Sequence, residues 1–244
     1  MINFAHRGAK GHYPENTMLA FEKALELGAT GIEIDVQLTK DGEIVIIHDE
    51  SLKRTTGVDK LVKDVTYEEL QTFDAGSWFS AEFRDERVPH LRQLLELLQN
   101  RPTILNIELK NGIILYPELE QKVISLVRDY GMSDRIIISS FNHYSLKLCK
   151  QLAPEIRTGV LYMEGIYRPW DYARTLGADA LHPIKYAVLP EWTKEAAAVG
   201  IAYHPFTVNE TAEMERLLDA GVAGIITDYP DRLAQILERR RTVT

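Results

Sequence analysis

Short β-rich runs alternate with amphipathic helical stretches along almost the whole chain, and no other feature restricts the possible fold as much. Strand patterns fall near residues 2–5, 31–38, 103–109, 135–140, 157–162, 180–183, 201–206 and 224–227. Helical spacing occupies 16–27, 117–130, 143–152, 169–176, 190–199, 210–220 and 230–240. Several of these stretches open with proline, which suits a first helical position because its missing N–H has no intrahelical partner to lose. Strand and helix in strict succession imply a parallel sheet, and eight such units in 244 residues predict a (β/α)8 TIM barrel of the α/β class. With 45% hydrophobic residues the chain can bury one sizeable core, and no splitting linker is visible, so 1–244 reads as a single domain. An open, doubly wound sheet is the competing architecture. Its dinucleotide-binding form is disfavoured because no Gly-x-Gly-x-x-Gly follows the first strand.

One stretch departs from the alternation. Residues 50–100 carry Arg54-Thr55-Thr56-Gly57, Asp74-Ala75-Gly76-Ser77-Trp78-Phe79 and Val88-Pro89 before an apolar helical run at 91–98. Most of this reads as a small insertion after the second strand. Active sites of such barrels lie at the C-terminal ends of the strands, so an insertion there would wall the site.

Charge sits where strands ought to be apolar. In Glu33-Ile34-Asp35-Val36-Gln37 and in Asn106-Ile107-Glu108-Leu109-Lys110, polar and apolar residues alternate, which sends all the polar ones to one face. With helices covering the apolar face, Glu33, Asp35, Glu108 and Lys110 point into the barrel or its mouth. Asp41-Gly42 is a two-residue hairpin signal, and with that loop Asp35 pairs opposite His48. A three-residue loop would slip the register by one and undo the pairing.

Three carboxylates buried side by side repel one another, and an unpaired buried charge costs several kcal/mol. One divalent cation removes that cost, and an oxygen donor set without thiolate suits Mg²⁺, Ca²⁺ or Mn²⁺ better than zinc. The competing interpretation is that Glu33, Asp35 and Glu108 are neutralised by lysine and arginine within the barrel. His6 and His48 each end a strand, where imidazole can give or take a proton near neutrality; purely structural histidines remain the alternative. Arg7 offers the planar fork that holds a phosphate or carboxylate, and Lys110 can add a point charge to the same anion or simply pair with Glu108. His12, His90, His143, His182 and His204 follow no recognisable spacing and are expected to be structural.

The net charge of −8 disfavours a nucleic-acid partner, because duplex binding depends on a clustered basic surface. The single cysteine, Cys149, cannot form an internal disulfide, no apolar run approaches the ~20 residues of a membrane span, and the N-terminus lacks a secretory pattern. A cytoplasmic protein without stable membrane insertion is the expectation. Its oligomeric state stays open.

In order along the chain, His6-Arg7-Gly8, Pro14-Glu15-Asn16-Thr17, Glu33-Ile34-Asp35-Val36, Asp41-Gly42, His48-Asp49, Leu52-Lys53-Arg54-Thr55-Thr56-Gly57, Glu108-Leu109-Lys110 and Thr227-Asp228-Tyr229-Pro230 resemble the glycerophosphodiester phosphodiesterases. The likeness runs from residue 6 to residue 231, and several spaced motifs in sequence are far more specific than any one. The resemblance implies a barrel with a small insertion and one divalent metal ion, Mg²⁺ or Ca²⁺, at Glu33, Asp35 and Glu108. It also implies His6 and His48 as general base and acid, Arg7 and Lys110 on the phosphate, and Phe141 lining the substrate pocket. The implied reaction is metal-dependent hydrolysis of small-molecule glycerophosphodiesters to sn-glycerol 3-phosphate and an alcohol. The implied path is attack by the glycerol 2-hydroxyl to give a cyclic phosphate that water opens, with direct attack by water as the other route. At the seventh strand the family often has Trp before Thr-Val-Asn, whereas this chain has Phe206, which keeps an aromatic wall but loses the indole donor. His90 stands where Thr is common. Two rival functions use the same carboxylates: a metal-dependent barrel lyase or isomerase, which gives no reason for the His6, Arg7 and His48 set, and a non-catalytic phosphate-binding barrel, which needs no acid/base histidines.

Overall fold

The computed structural model describes residues 1–242. Nine strands and ten α-helices are described: β1 (Ile2–His6), α1 (Met18–Glu26), β2 (Gly31–Leu38), β3 (Ile44–Ile46), α2 (Lys53–Thr56), α3 (Tyr67–Leu70), α4 (Leu91–Leu98), β4 (Ile104–Leu109), α5 (Leu119–Asp129), β5 (Ile136–Ser140), α6 (His143–Leu152), β6 (Arg157–Tyr162), α7 (Pro169–Leu176), β7 (Ala180–Pro183), α8 (Pro190–Ala198), β8 (Ala202–Tyr203), α9 (Thr211–Asp219), β9 (Gly224–Thr227) and α10 (Pro230–Thr242). Setting aside β3, eight strands pair in parallel in the order β8-β7-β6-β5-β4-β2-β1-β9, with helices between them. This is a nearly closed (β/α)8 barrel, as the alternation predicts.

The ladder thins where the ends meet. Strand geometry at β8 covers two residues instead of the expected 201–206, because Pro205 has no N–H to donate. Single bonds carry the closure: Ala223 N donates to Tyr203 O at 3.0 Å, Ile226 N to Pro205 O at 3.0 Å, and Val208 N to Ile226 O at 2.9 Å.

Alternation along the strands divides the residues as expected. Ile32, Ile34, Val36, Leu105, Ile107 and Leu109 join the large core beneath the helices, while Phe4, Ile137 and Ile226 form a small cluster of their own. Local chemistry fixes the first βα connection. Thr17 caps α1 by accepting from Ala20 N, and Gly8, at φ +82°, lies so close to α1 that a Cβ would stand 2.7 Å from the Ala20 backbone.

The hairpin differs from its two-residue prediction. Val36 pairs with Ile46, Gln37 with Val45 and Leu38 with Ile44, so Lys40, Asp41 and Gly42 form a three-residue loop and Ile47 takes the place expected for His48. Gly42 N donates to Thr39 O, and Gly42 itself sits at φ +79°, which makes a tight turn followed by a left-handed glycine bulge. Thr39 Oγ1 favours this longer loop by accepting from Glu43 N and donating to Asp41.

The segment after β3 has its own core of Val45, Ile47, Leu52, Val62, Val65, Leu70, Ala75 and Val88. The apolar helical run that follows it belongs to the barrel. Leu91, Leu94, Leu95 and Leu98 of α4 pack in the main core, which makes α4 the second helix of the barrel wall. His90 begins that helix as its cap, accepting from Arg92 N through Nδ1. A threonine would hold the same position by the same kind of bond.

Candidate active site

The strand register gathers the charged residues at one end of the barrel. His6 lies beside Glu33 across β1 and β2, and Asp35 beside Glu108 across β2 and β4. One carboxylate oxygen from each of Glu33, Asp35 and Glu108 falls within 4.8 Å of the others, and all three side chains are buried. Burial and then the neighbouring carboxylates push Glu33 well above the usual range and Glu108 up to about 7. Asp35 behaves oppositely. Burial would raise it, but the charges of Arg7, His48 and Lys110 and a 2.9 Å bond from Asn16 Nδ2 hold it down to about 2. Its Oδ1 is buried without a hydrogen-bond partner. A cluster with one permanent anion, two carboxyls driven to take up protons and an orphaned oxygen has the chemistry of a hard-cation site, and the three residues fit a divalent ion.

Both strand-end histidines are held from behind. His6 Nδ1 donates to Asp228 Oδ1 at 2.6 Å, which turns Nε2 towards Glu33 Oε2 at 4.0 Å. His48 Nδ1 donates to Asp49 Oδ1 at 2.6 Å, and its Nε2 lies 3.2 Å from Lys110 Nζ. Desolvation lowers both imidazoles and so favours their neutral forms, with Nε2 of His6 open to accept a proton and Nε2 of His48 holding the Lys110 ammonium. His48 is carried by loop, not by β3, and Gln37 fixes that loop by donating to the carbonyls of Ile47, His48 and Asp49. Tyr116 OH in turn donates to Gln37 Oε1 at 2.8 Å.

Arg7 has a left-handed backbone at φ +55°, which aims its own N–H at Glu33 Oε2, 3.1 Å away. Its guanidinium lies between Glu15, at 2.9 Å, and Asp35, at 3.2 Å. Burial opposes that charge, but the surrounding carboxylates outweigh it and keep the group cationic. Lys110 Nζ donates to Glu108 Oε1 at 2.9 Å. Opposite them, the Phe141 and Phe206 rings meet edge to face with centroids 6.1 Å apart.

Eight of the nine residues singled out in the sequence, all but Asp35, line one cavity: His6, Arg7, Glu33, His48, Glu108, Lys110, Phe141 and Phe206. Asp35 contributes to the carboxylate cluster from a fully buried position. A second cavity opens under the inserted segment, lined by Arg7, Lys10, Glu15, His48, Asp49, Arg54, Trp78 and Phe79, and the two share Arg7 and His48. The sequence by itself assigns no role to Asp228, Asp49, Glu15, Asn16, Arg54 or Gln37. Gln37 lies in the alternating run of the second strand and the others in the family motifs quoted above, which is the signal the sequence offers.

The model of the glycerophosphoryl diester phosphodiesterase family matches residues 6–232. The chain is 46% identical over 235 residues to a glycerophosphodiester phosphodiesterase of Caldanaerobacter subterraneus subsp. tengcongensis, covering 96% of this chain and 97% of the relative. It is 48% identical over 241 residues to one from Bacillus altitudinis, covering 98% of each. Among solved structures, an Oleispira antarctica phosphodiesterase in complex with the product sn-glycerol-3-phosphate superposes with a TM-score of 0.90 at 30% identity, covering 96% of each chain.

Proposed function

The chain belongs to the glycerophosphoryl diester phosphodiesterase family, and we propose that its barrel mouth is the catalytic centre for hydrolysing glycerophosphodiesters to sn-glycerol 3-phosphate and an alcohol. The enzyme class and the reaction follow from the family and from its high-identity relatives. The assignment of roles rests above all on one observation, the three-carboxylate cluster flanked by two histidines that are each held by a carboxylate at 2.6 Å.

Glu33, Asp35 and Glu108 would hold one divalent ion, Mg²⁺ or Ca²⁺, which would supply positive charge against the phosphate and would acidify a neighbouring hydroxyl. A phosphodiester repels nucleophiles through its negative charge, so Arg7 and Lys110 bind its oxygens and stabilise the charge that builds in the transition state. Lys110 leaves His48 Nε2 as it turns to the phosphate. His6 faces only the inner cavity, next to the carboxylate cluster, whereas His48 faces both cavities. His6 Nε2 therefore takes the proton from the glycerol 2-hydroxyl, with Asp228 stabilising the imidazolium that results. His48, once protonated, gives its Nε2 proton to the departing alcohol. The roles exchange when water opens the cyclic phosphate. Phe141 and Phe206 wall the glycerol half and limit water there.

Release of glycerol 3-phosphate, measured with and without EDTA, tests the reading. Metal-dependent release is expected. Release unaffected by complete metal removal would overturn the carboxylate assignment, and phosphate binding without release would return the chain to a binding role.

A further inference from the structure

The outer cavity is built unlike the inner one, and its chemistry is selective. Its two carboxylates have no free oxygen. Glu15 accepts from Arg7 Nη1 at 2.9 Å and from Arg54 Nη2 and Nη1 at 2.7 and 3.0 Å, and Asp49 accepts from His48 Nδ1 and from Arg54 Nε and Nη2. Trp78 is partly engaged. The Arg54 guanidinium carbon lies 5.7 Å from the centre of its ring, while its indole N–H is spent on Ala75 O. A quaternary ammonium is held best where an unpaired carboxylate backs the aromatic faces, and this cavity offers no unpaired carboxylate. Lys10 adds a third cation to the wall and forms a long ion pair with Asp228 at 3.8 Å.

On the basis of the catalytic reading above, we infer that this cavity receives the leaving alcohol and favours polyols that are uncharged or anionic, such as glycerol, inositol or their phosphates, over choline. His48 stands at the junction of the two cavities, so the oxygen it protonates belongs to whatever fills the outer one. Among the residues that line the cavity, three cations stand against two carboxylates that are already hydrogen-bonded, which favours oxygen acceptors over a trimethylammonium group. Lys10 and Arg54 have N–H donors for hydroxyl or phosphate oxygens. Trp78 and Phe79, exposed by 39% and 37%, supply an apolar surface for the C–H side of a polyol.

The test uses the full chain loaded with Mg²⁺ and glycerol 3-phosphate release as readout, with glycerophosphoglycerol, glycerophosphoinositol and glycerophosphocholine as substrates. We expect kcat/KM at least about tenfold higher for the two polyol diesters than for the choline diester. The Lys10→Glu variant should narrow that ratio severalfold, chiefly by improving glycerophosphocholine, and Trp78→Ala should lower kcat/KM for the polyol diesters. Equal or better turnover of glycerophosphocholine by the unaltered enzyme overturns the inference and leaves the catalytic reading standing. A polyol preference that neither substitution moves also overturns it, because the selectivity then arises elsewhere. If none of the three diesters is cleaved, the catalytic reading itself fails.

Discussion

Two pairs of histidines sit in this barrel, one at the mouth and one deeper inside, and they differ in what stands behind each ring. At the mouth, His6 and His48 each have a carboxylate on Nδ1 and an Nε2 that faces a cavity. Deeper, His182 and His204 have mainly each other: His204 Nδ1 lies 3.1 Å from His182 Nε2, both rings are buried, and His182 Nδ1 has no partner. Gly159 makes room for that pair, since a Cβ there would stand 2.4 Å from His182 Nε2. Desolvation lowers all four rings, but it drives His204 down to about 3 and His182 well below its ordinary value, whereas carboxylates offset it at the mouth. Burial alone thus makes an inert imidazole. A carboxylate behind the ring and open space in front of it make one that can carry a proton.

The strongest way to break the comparison removes what the mouth has and the interior lacks. Glu33→Gln and Asp35→Asn keep shape but not charge, and each should abolish divalent-ion binding in calorimetric titration together with nearly all activity. Undiminished affinity in both would make the carboxylates structural. Next, His6→Ala and His48→Ala should each lower kcat by roughly 10² to 10⁴, the usual loss when a positioned proton carrier goes. With a p-nitrophenyl leaving group, which needs little protonation, His48→Ala should regain much of its rate and His6→Ala should not; recovery in the other mutant would exchange the two roles.

The carboxylates behind the rings should matter less than the rings. Asp228→Asn and Asp49→Asn are expected to cost about 10 to 100-fold in kcat with KM little changed, as is common for groups that orient a catalytic ligand. A loss confined to KM would make them substrate contacts.

The pH dependence of metal binding sharpens the contrast further. Glu108, pushed up to about 7, is protonated in the metal-free protein below that value, and a cation must displace the proton. Affinity for Mg²⁺ should therefore rise with pH as Glu108 and the likewise raised Glu33 give up their protons, by roughly fivefold from pH 6 to 7 for Glu108 by itself. The linked effect on folding runs the other way. A carboxyl whose folded pKa lies above its unfolded value of ~4.5 binds more protons when native, so this group's contribution to metal-free stability is lost as pH climbs through that window to about 7. Bound metal should cancel that loss, making the difference in Tm with and without EDTA larger at pH 7.5 than at pH 5. A difference independent of pH would sink the assignment of Glu108 as a ligand.

The smallest effect on activity belongs to the interior pair. Replacing His182 with Gln should leave kcat within a few-fold while lowering stability by about 1–3 kcal/mol, the penalty for leaving a buried polar partner unsatisfied. A large fall in kcat at unchanged stability would give the interior pair a catalytic part.

Much of this molecule follows from period and punctuation. Repeated strand-then-helix patterning dictates parallel pairing, and the two-residue period of a strand is what turns Glu33, Asp35 and Glu108 inward while Ile32, Ile34 and Ile107 face the helices. These are local rules, and the chain obeys them locally: α6 and α7 span the residues that their spacing predicts. What the sequence leaves open is every choice between alternatives of nearly equal local energy. The hairpin after β2 could have had two residues or three, and Thr39 with a left-handed Gly42 decided for three. Tertiary structure alone brings Asp228 to His6 across 222 residues, by closing the last strand on the first. It alone sets Arg54 between Glu15 and Asp49, and so gives the outer cavity's carboxylates their partners. The physical reason is range. Periodicity says which way a side chain points, but the partner it meets there is settled by strands and loops distant in sequence, through the register and closure of the whole barrel.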